Sequence, residues 1–157
     1  MVDKINRILV ICTGNSCRSP MAEGFLKQHL RPQDGFEIIS AGIFAIECVS
    51  PTPEAIDVMQ EDNIDISSYL SKPFSKSLAK SADIILVMAQ MHKEFILNTL
   101  PEVKDKVYLF KEFADLTDQD KDITDPLGQP ISVYKTIKEE IRKASVEIAI
   151  KIKKDKR

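Results

Sequence analysis

The stretch Cys12-Thr13-Gly14-Asn15-Ser16-Cys17-Arg18-Ser19-Pro20 separates an apolar segment, residues 5–12, from a predicted helix. The apolar segment is short and rich in β-branched residues, which indicates a buried strand. Pro20 suits the first position of a helix, where its missing N–H has no partner to lose, and Ser19 is a candidate N-cap. The stretch is therefore predicted to be a tight loop between a strand and the N-terminus of a helix.

Residues 12–19, called the anion loop below, have the composition of an anion site. A helix N-terminus presents free backbone N–H groups and a partial positive charge. Cys12 is the candidate nucleophile, because these dipoles and a nearby cation favour its reactive thiolate form. Arg18 has a planar guanidinium that matches two oxygens of a phosphate. Gly14 and Asn15 tolerate positive φ, so we expect successive N–H groups to point inward.

A structural turn around a buried cysteine is the alternative interpretation of this stretch. Cysteine and arginine six positions apart occur by chance in many chains. Here a strand precedes the pair, Gly14-Asn15 lies inside it, and Ser19-Pro20 follows it at a predicted helix start. This agreement favours a functional loop.

The remaining pattern predicts an α/β protein. Short apolar segments alternate with helical ones, which is typical of a parallel sheet covered by helices. We expect a single-domain three-layer sandwich over residues 1–157, with a four-stranded parallel sheet, helices on both faces and an N-terminal phosphate-binding loop. The predicted strands are 5–12, 36–40, 83–88 and 107–110, the predicted helices are 20–30, 53–62, 90–100 and 131–154, and residues 67–80 are irregular with a short helix near Ser75.

Composition narrows the class of protein. The chain has 157 residues and a net charge of −2, with no basic stripe of the kind that binds nucleic acid. It contains no apolar run of about 18 residues and no signal-peptide pattern. Three cysteines do not suggest a secreted disulfide framework. We therefore expect a cytoplasmic protein with no membrane and no nucleic-acid partner.

A second chemical element lies before the last helix. Asp125 precedes Pro126, which restricts Asp125 to an extended or turn conformation. Its carboxyl group is a candidate proton donor and acceptor for phosphoryl transfer, although Asp-Pro is also a common turn pair. Alternating aspartates at 118, 120 and 122 suggest a calcium loop, but Ile123 and Gln129 occupy the positions that require glycine and glutamate. No metal and no cofactor are expected.

The other cysteines and the histidines carry weaker signals. Cys17 is a redox candidate, because a second thiol in the same loop could trap oxidised Cys12 as a disulfide. The alternative is a small residue packed behind the loop. Cys48 is expected to be inert. His29 and His92 lie on predicted helices without a partner at metal-ligand spacing, so we expect surface residues.

The sequence resembles the low-molecular-weight protein tyrosine phosphatase family over nearly its whole length. The similarity is carried by Cys12 to Glu23, Ser40-Ala41-Gly42, Ser81 to Met88, Lys106 to Phe110 and Asp125-Pro126. It implies a cysteinyl-phosphate mechanism with Cys12 as nucleophile, Arg18 as phosphate ligand and Asp125 as general acid and base. It also implies that Ser40 supports the loop and that the substrate-binding residues include Thr13, Gly14, Asn15, Ser16, Cys17, Ser19, Phe44 and Leu127.

Departures from the family pattern concern the substrate. Ser16 is small and polar where many tyrosine-specific members have a bulky aliphatic residue, and Leu127 follows Asp-Pro where they have aromatic residues. Ile46 stands where those members place a wall tryptophan, but Phe44 is near enough in sequence to substitute, and Tyr69 replaces a frequent histidine. Among the candidate substrates, phosphotyrosine, the usual substrate of the family, is slightly preferred.

Phosphoarginine, the substrate of the bacterial protein arginine phosphatases in this family, is expected almost as strongly as phosphotyrosine. Ser16 would leave room for a planar guanidinium, and Asp125 could pair with it. Either reading implies a phosphorylated protein substrate, and inorganic phosphate or a similar oxyanion in the loop.

Two hypotheses outside phosphatase chemistry remain as less favoured alternatives. Arsenate reductases of this family use a similar loop but need a cysteine pair after the third strand, and this chain has none there. A non-catalytic phosphopeptide-binding module is disfavoured because Cys12, Arg18 and Asp125 are all present.

Overall fold

The computed structural model describes residues 4–155, which form a single α/β domain. Its strands are β1 (Arg7–Cys12), β2 (Glu37–Gly42), β3 (Ile84–Val87) and β4 (Val107–Leu109). Its helices are α1 (Arg18–His29), α2 (Pro53–Gln60), α3 (Lys76–Ser81), α4 (Gln90–Thr99), α5 (Phe110–Phe113) and α6 (Ile131–Asp155), with 3-10 turns at Pro32–Asp34 and Pro101–Lys106.

The sheet has the strand order β2-β1-β3-β4, and every pair is parallel. The predicted four-stranded parallel sheet is therefore confirmed. Its strand order reverses between β1 and β3, and loops at the carboxyl ends of strands on either side of such a reversal form a crevice. Cys12 is the last residue of β1, so the anion loop lies in this crevice.

Alternating side chains of β1 enter two separate cores. Ile8 and Val10 pack with α1, α2 and α6 on one face, whereas Leu9 and Ile11 pack with α3 and α4 on the other. All four side chains are buried. Each such burial contributes roughly 1.5–3 kcal/mol, so both helical layers hold the strand that carries the loop.

The boundaries of α1 differ from the prediction. The helix begins at Arg18 with Cys17 at the N-cap position, so Ser19 lies inside the first turn. The assignment of Ser19 as N-cap was wrong, because its hydroxyl group contacts Cys12 and Asn15 instead of a free N–H of the helix. The predicted fourth strand ends one residue early, since Phe110 starts the short helix α5.

Helix α6 covers one face of the sheet and packs mainly against α1 and α2. Its buried side chains recur at steps of three and four, as the sequence predicted. They are Tyr134, Ile137, Ile141, Ala144, Ile148 and Ile152. Thr52 caps α2 as predicted, accepting a hydrogen bond from the N–H of Ala55 at 3.3 Å.

Candidate active site

Asn15 gives the anion loop its curvature. It adopts the left-handed conformation with φ of 53°, as expected, whereas Gly14 is not among the residues with positive φ. Of the two residues that tolerate positive φ, the turn therefore uses only Asn15. The position that requires glycine is Gly42 at the end of β2. A Cβ there would lie 2.5 Å from the carbonyl oxygen of Thr13 and 2.8 Å from the N of Asn15.

A buried chain of polar contacts leads from Asn15 to the nucleophile candidate. The amide nitrogen of Asn15 donates to Ser19 Oγ at 2.8 Å and to Ser40 Oγ at 3.0 Å. Because Ser19 accepts this bond, its own O–H is free for the sulfur of Cys12, 2.9 Å away. The hydroxyl group can thus stabilise a thiolate at Cys12. The structure brings Cys12, Asn15, Ser19 and Ser40 together as predicted.

Glu23 continues this chain into the interior, and sequence reasoning missed it. Its carboxylate accepts from Ser40 Oγ at 2.6 Å and pairs with Lys27 Nζ at 2.6 Å, and only 8% of the residue is exposed. Burial alone would lower the pKa of Lys27, but the hydrogen bond and charge of Glu23 raise it overall. Lys27 Nζ also lies 4.7 Å from the ring centroid of Tyr69.

Arg18 joins the anion loop to Asp125. Its buried guanidinium donates from Nη1 to the carbonyl oxygen of Ile123 at 2.8 Å. Nη2 lies 3.6 Å from Asp125 Oδ2. Asp125 Oδ1 accepts from the N–H of Leu127 at 3.0 Å, an Asx turn that orients the carboxyl group. Asp125 is exposed at the mouth of the site, where a proton donor could meet a leaving group.

The aspartate loop, residues 114–130, is held against the β3–α4 connection. The N–H of Ile123 donates to the carbonyl oxygen of Met88 at 2.8 Å, and Asp122 Oδ1 accepts from the N–H of Gln90 at 2.8 Å. Asp122 therefore binds the N-terminus of α4. Within residues 4–155, no group of three or more His, Cys, Asp or Glu side chains is arranged to hold a metal ion.

Two exposed apolar side chains lie beside the loop and Asp125. The N–H of Phe44 donates to the carbonyl oxygen of Thr13 at 2.9 Å, and its ring is 65% exposed. That ring packs edge-on against Phe95, with centroids 5.5 Å apart. Leu127, two residues after Asp125, is 58% exposed. Phe44 and Leu127 are thus available to contact a substrate, as expected.

The comparisons with known proteins agree on one family. A sequence profile described as low molecular weight phosphotyrosine protein phosphatase matches residues 7–157. The chain belongs to this family. It is accordingly a phosphatase with the cysteine-based mechanism typical of the family. Within residues 4–155, no helix combines the length and apolar character needed to cross a bilayer.

Individual relatives carry two kinds of name. The protein-arginine-phosphatase of Bacillus subtilis (strain 168) is 36% identical over 152 residues, covering 96% of this chain and 99% of its own. The structure of the YwlE arginine phosphatase from Geobacillus stearothermophilus has a TM-score of 0.88 at 37% identity and covers 96% of this chain and 94% of its own. The tyrosine phosphatase Wzb from Escherichia coli K30, in complex with sulphate, has a TM-score of 0.85 at 31% identity and covers 94% of this chain and 98% of its own.

His92 is the residue of this phosphatase whose location was predicted wrongly. It was expected at the surface, but it is completely buried at the start of α4. Its Nε2 lies 2.9 Å from Thr13 Oγ1, and its Nδ1 accepts from the N–H of Ala89 at 3.0 Å. Burial, reinforced by the charge of Arg18, lowers the pKa of His92 to about 4. The third residue of a helix that follows the neighbouring strand faces the loop, which was the available signal.

Cys17 faces the interior behind the loop of the phosphatase. Its sulfur lies 3.5 Å from Thr52 Oγ1, 3.5 Å from Tyr134 Oη and 3.8 Å from Ser16 Oγ. Burial raises the pKa of the Cys17 thiol, although these hydrogen bonds partly offset the effect. Burial also raises the pKa of Tyr134 to about 12. Cys17 therefore links the loop to α2 and α6 as a neutral thiol at ordinary pH.

Proposed function

We propose that the protein removes phosphate from protein side chains through a covalent intermediate on Cys12. The thiolate attacks phosphorus, the Sγ–P bond forms, and the bond to the leaving group breaks as Asp125 donates its proton to that group. Water then attacks phosphorus, Asp125 takes a proton from it, and the Sγ–P bond breaks to release inorganic phosphate. Arg18 and the N–H groups of the loop stabilise the charge on the three other oxygens.

The observation that carries this proposal is the convergence of four side chains, those of Cys12, Ser19, Arg18 and Asp125, at the anion loop. Ser19 Oγ lies 2.9 Å from the sulfur of Cys12, which suits both the thiolate nucleophile and the thiolate leaving group of the second step. Arg18 lies in the same loop and within 3.6 Å of Asp125. The sulphate bound in the Wzb complex supports an oxyanion site in this family.

We propose phosphoarginine in proteins as the substrate that the site suits best. Asp125 presents a partly exposed carboxyl group that could hydrogen-bond to a guanidinium nitrogen. Leu127 is aliphatic, and Ser16 leaves the loop without a bulky side chain. The relatives named arginine phosphatases, which align over nearly the whole chain, support this choice.

Phosphotyrosine is the second candidate, and Phe44 favours it. The exposed ring of Phe44 next to the anion loop offers one aromatic wall for a phenyl group. The chain also matches a family described by its phosphotyrosine activity. Both substrates fit the same chemistry, so the choice between them depends on the walls of the site.

A direct comparison of kcat/KM for a phosphoarginine peptide and the matching phosphotyrosine peptide at neutral pH tests the proposal, with Cys12→Ser as blank. A higher value for phosphoarginine supports the first candidate. A higher value for phosphotyrosine would make phosphotyrosine the assigned substrate, with Phe44 as the wall that selects it. Wild-type turnover in Cys12→Ser would contradict the covalent mechanism. Activity on neither peptide would reopen arsenate reduction and phosphopeptide binding without turnover.

We place this activity in the cytoplasm as part of the same proposal, because a thiolate nucleophile needs a reducing compartment.

A further inference from the structure

Both ring nitrogens of His92 have a defined partner. The N–H of Ala89 donates to Nδ1 at 3.0 Å, so Nδ1 carries a lone pair and no proton. The proton of the neutral ring must then be on Nε2, which lies 2.9 Å from Thr13 Oγ1. His92 is therefore a hydrogen-bond donor to the residue that directly follows Cys12.

Thr13 Oγ1 receives a second donor. Arg18 Nη2 lies 3.4 Å from the same oxygen and has only N–H groups to offer. Two donors use both lone pairs of the hydroxyl oxygen, so its O–H can act only as a donor. Among residues 4–155, no protein group accepts from this O–H. An O–H group in the anion loop without a protein acceptor is free to donate to a bound anion.

We propose that His92 is a positioning residue, which orients the O–H of Thr13 as an additional donor to the oxyanion in the transition state. This inference rests on the phosphatase function proposed above. The imidazole does not touch the substrate and acts through Thr13. It also shares Thr13 Oγ1 with Arg18, so it keeps the guanidinium and the hydroxyl group in a common orientation. A preoriented donor of this kind lowers the barrier for charge that develops in the transition state.

Four substitutions separate this role from simple packing. His92→Gln supplies an oxygen that can accept from the N–H of Ala89 and an N–H that can donate to Thr13, whereas His92→Leu supplies neither. Thr13→Ser keeps the hydroxyl group and Thr13→Val removes it at equal volume. Asn98→Ala, at an exposed position of the same helix, is the control for α4.

The readout is kcat and KM on the better of the two phosphopeptides, with urea unfolding to confirm folding. We expect His92→Leu and Thr13→Val each to lower kcat roughly 10- to 100-fold with little change in KM. The double variant, His92→Leu with Thr13→Val, is expected to be no slower than the slower of the two single variants, because each single variant already removes the same interaction. His92→Gln and Thr13→Ser are expected to retain most of the wild-type kcat.

Two outcomes would overturn the proposal. One is a Thr13→Val variant with wild-type kcat beside a slow His92→Leu variant, which would show that His92 acts only by packing. The other is a double variant with fully additive losses. If the wild-type protein turned over neither peptide, the proposed function would fail, but calorimetric titration with orthovanadate, which can adopt the five-coordinate geometry of the transition state, would still decide the role of His92. Weaker vanadate binding in His92→Leu and Thr13→Val, restored in His92→Gln, would support it, and unchanged vanadate binding would refute it.

Discussion

Gly42 and Asn15 determine the shape of the anion loop at the scale of single residues. The chain after β1 turns through one left-handed residue, and the end of β2 approaches that turn closely enough to exclude a Cβ at position 42. The contact joins backbone to backbone, so no flexible side chain can move aside. The loop therefore depends on a residue in another strand.

We expect Gly42→Ala to impair catalysis far more than Gly24→Ala. The new methyl group at position 42 would meet the Thr13 carbonyl at 2.5 Å, so the loop must shift. At position 24 it would meet side-chain methyl groups of Ile64 and Met59 at 3.0 Å, which can adjust. Steady-state kinetics should show a loss of at least about 100-fold for Gly42→Ala, since small misplacements in catalytic sites have effects of this size. Equal activity of the two variants would contradict the close-approach argument.

Asp125→Asn tests the proton donor. The amide keeps the Asx turn with Leu127 but cannot protonate a leaving group, so we expect kcat to fall on the order of 100-fold or more on peptide substrates. The loss in kcat/KM, which reports the first step, should shrink for an aryl phosphate with a good leaving group, because its departure needs no proton. A loss in kcat/KM that is the same for poor and good leaving groups would contradict the role of Asp125 as proton donor. Asp105→Asn, an exposed aspartate remote from the loop, is the control.

Cys17 is predicted to protect Cys12 from irreversible oxidation. In a Cys48→Ser background, which removes the exposed thiol, peroxide should produce a Cys12–Cys17 disulfide detectable by peptide mass spectrometry. Because burial raises the pKa of the Cys17 thiol, the disulfide should form faster at higher pH. Cys17→Ser should instead accumulate irreversibly oxidised Cys12. Full recovery of that variant after reduction would contradict the prediction.

Helix α2 is attached to the site at its first turn, at the scale of secondary-structure elements. Thr52 Oγ1 accepts from the N–H of Ala55 and donates to Tyr134 Oη at 3.3 Å. The N–H of Thr52 also donates to the carbonyl oxygen of Ser16 at 3.0 Å. One N-cap residue thus connects α2, α6 and the anion loop.

We expect Thr52→Ala to lower the free energy of unfolding by about 1–2 kcal/mol, the usual range for loss of an N-cap. The control is Ser75→Ala, which removes the N-cap of α3, a hydrogen bond of 3.1 Å to Leu78 at an exposed position. Urea denaturation should show the larger loss for Thr52→Ala, because that variant also removes one of the two hydrogen-bond partners of the buried Tyr134 hydroxyl. A larger loss for Ser75→Ala would contradict this reasoning.

The whole molecule shows which features a sequence can predict. The sheet and its helical layers follow from apolar periodicity and from punctuation such as Pro53 and Pro101, because these signals are local. Cys12, Arg18 and Asp125 could be proposed as site residues because a contiguous motif surrounds each of them. The contacts of Glu23 and Gly42 could not be predicted, since they join segments distant in the chain, and the only local signal for His92 was its place in the first turn of the helix after the neighbouring strand. Helix ends were misplaced by a residue or two where a side chain such as Ser19 serves the site.

Stability of the whole molecule should depend on His92 below neutral pH. Burial and the charge of Arg18 lower its pKa to about 4, while Asp122 and Asp125 oppose this effect only in part. Between pH 6.5 and 4 the unfolded chain therefore binds a proton that the folded chain does not, so stability falls as pH falls. The loss approaches about 3 kcal/mol. Urea unfolding at pH 7 and 4.5 should show this extra loss in the wild type and not in His92→Gln, and equal losses would refute it.

The position of β1 in the middle of the sheet has a consequence for biosynthesis. Of the proposed catalytic residues, Cys12 leaves the ribosome first and Asp125 last, yet β1 cannot complete its hydrogen bonds until β3, residues 84–87, has been made. Parallel pairing over such separations is slow. Until then Cys12, which is only 2% exposed in the folded protein, is not buried. A nascent chain would thus carry an unprotected thiol through most of its translation, and its yield in active form would depend on the reducing power of the surrounding medium.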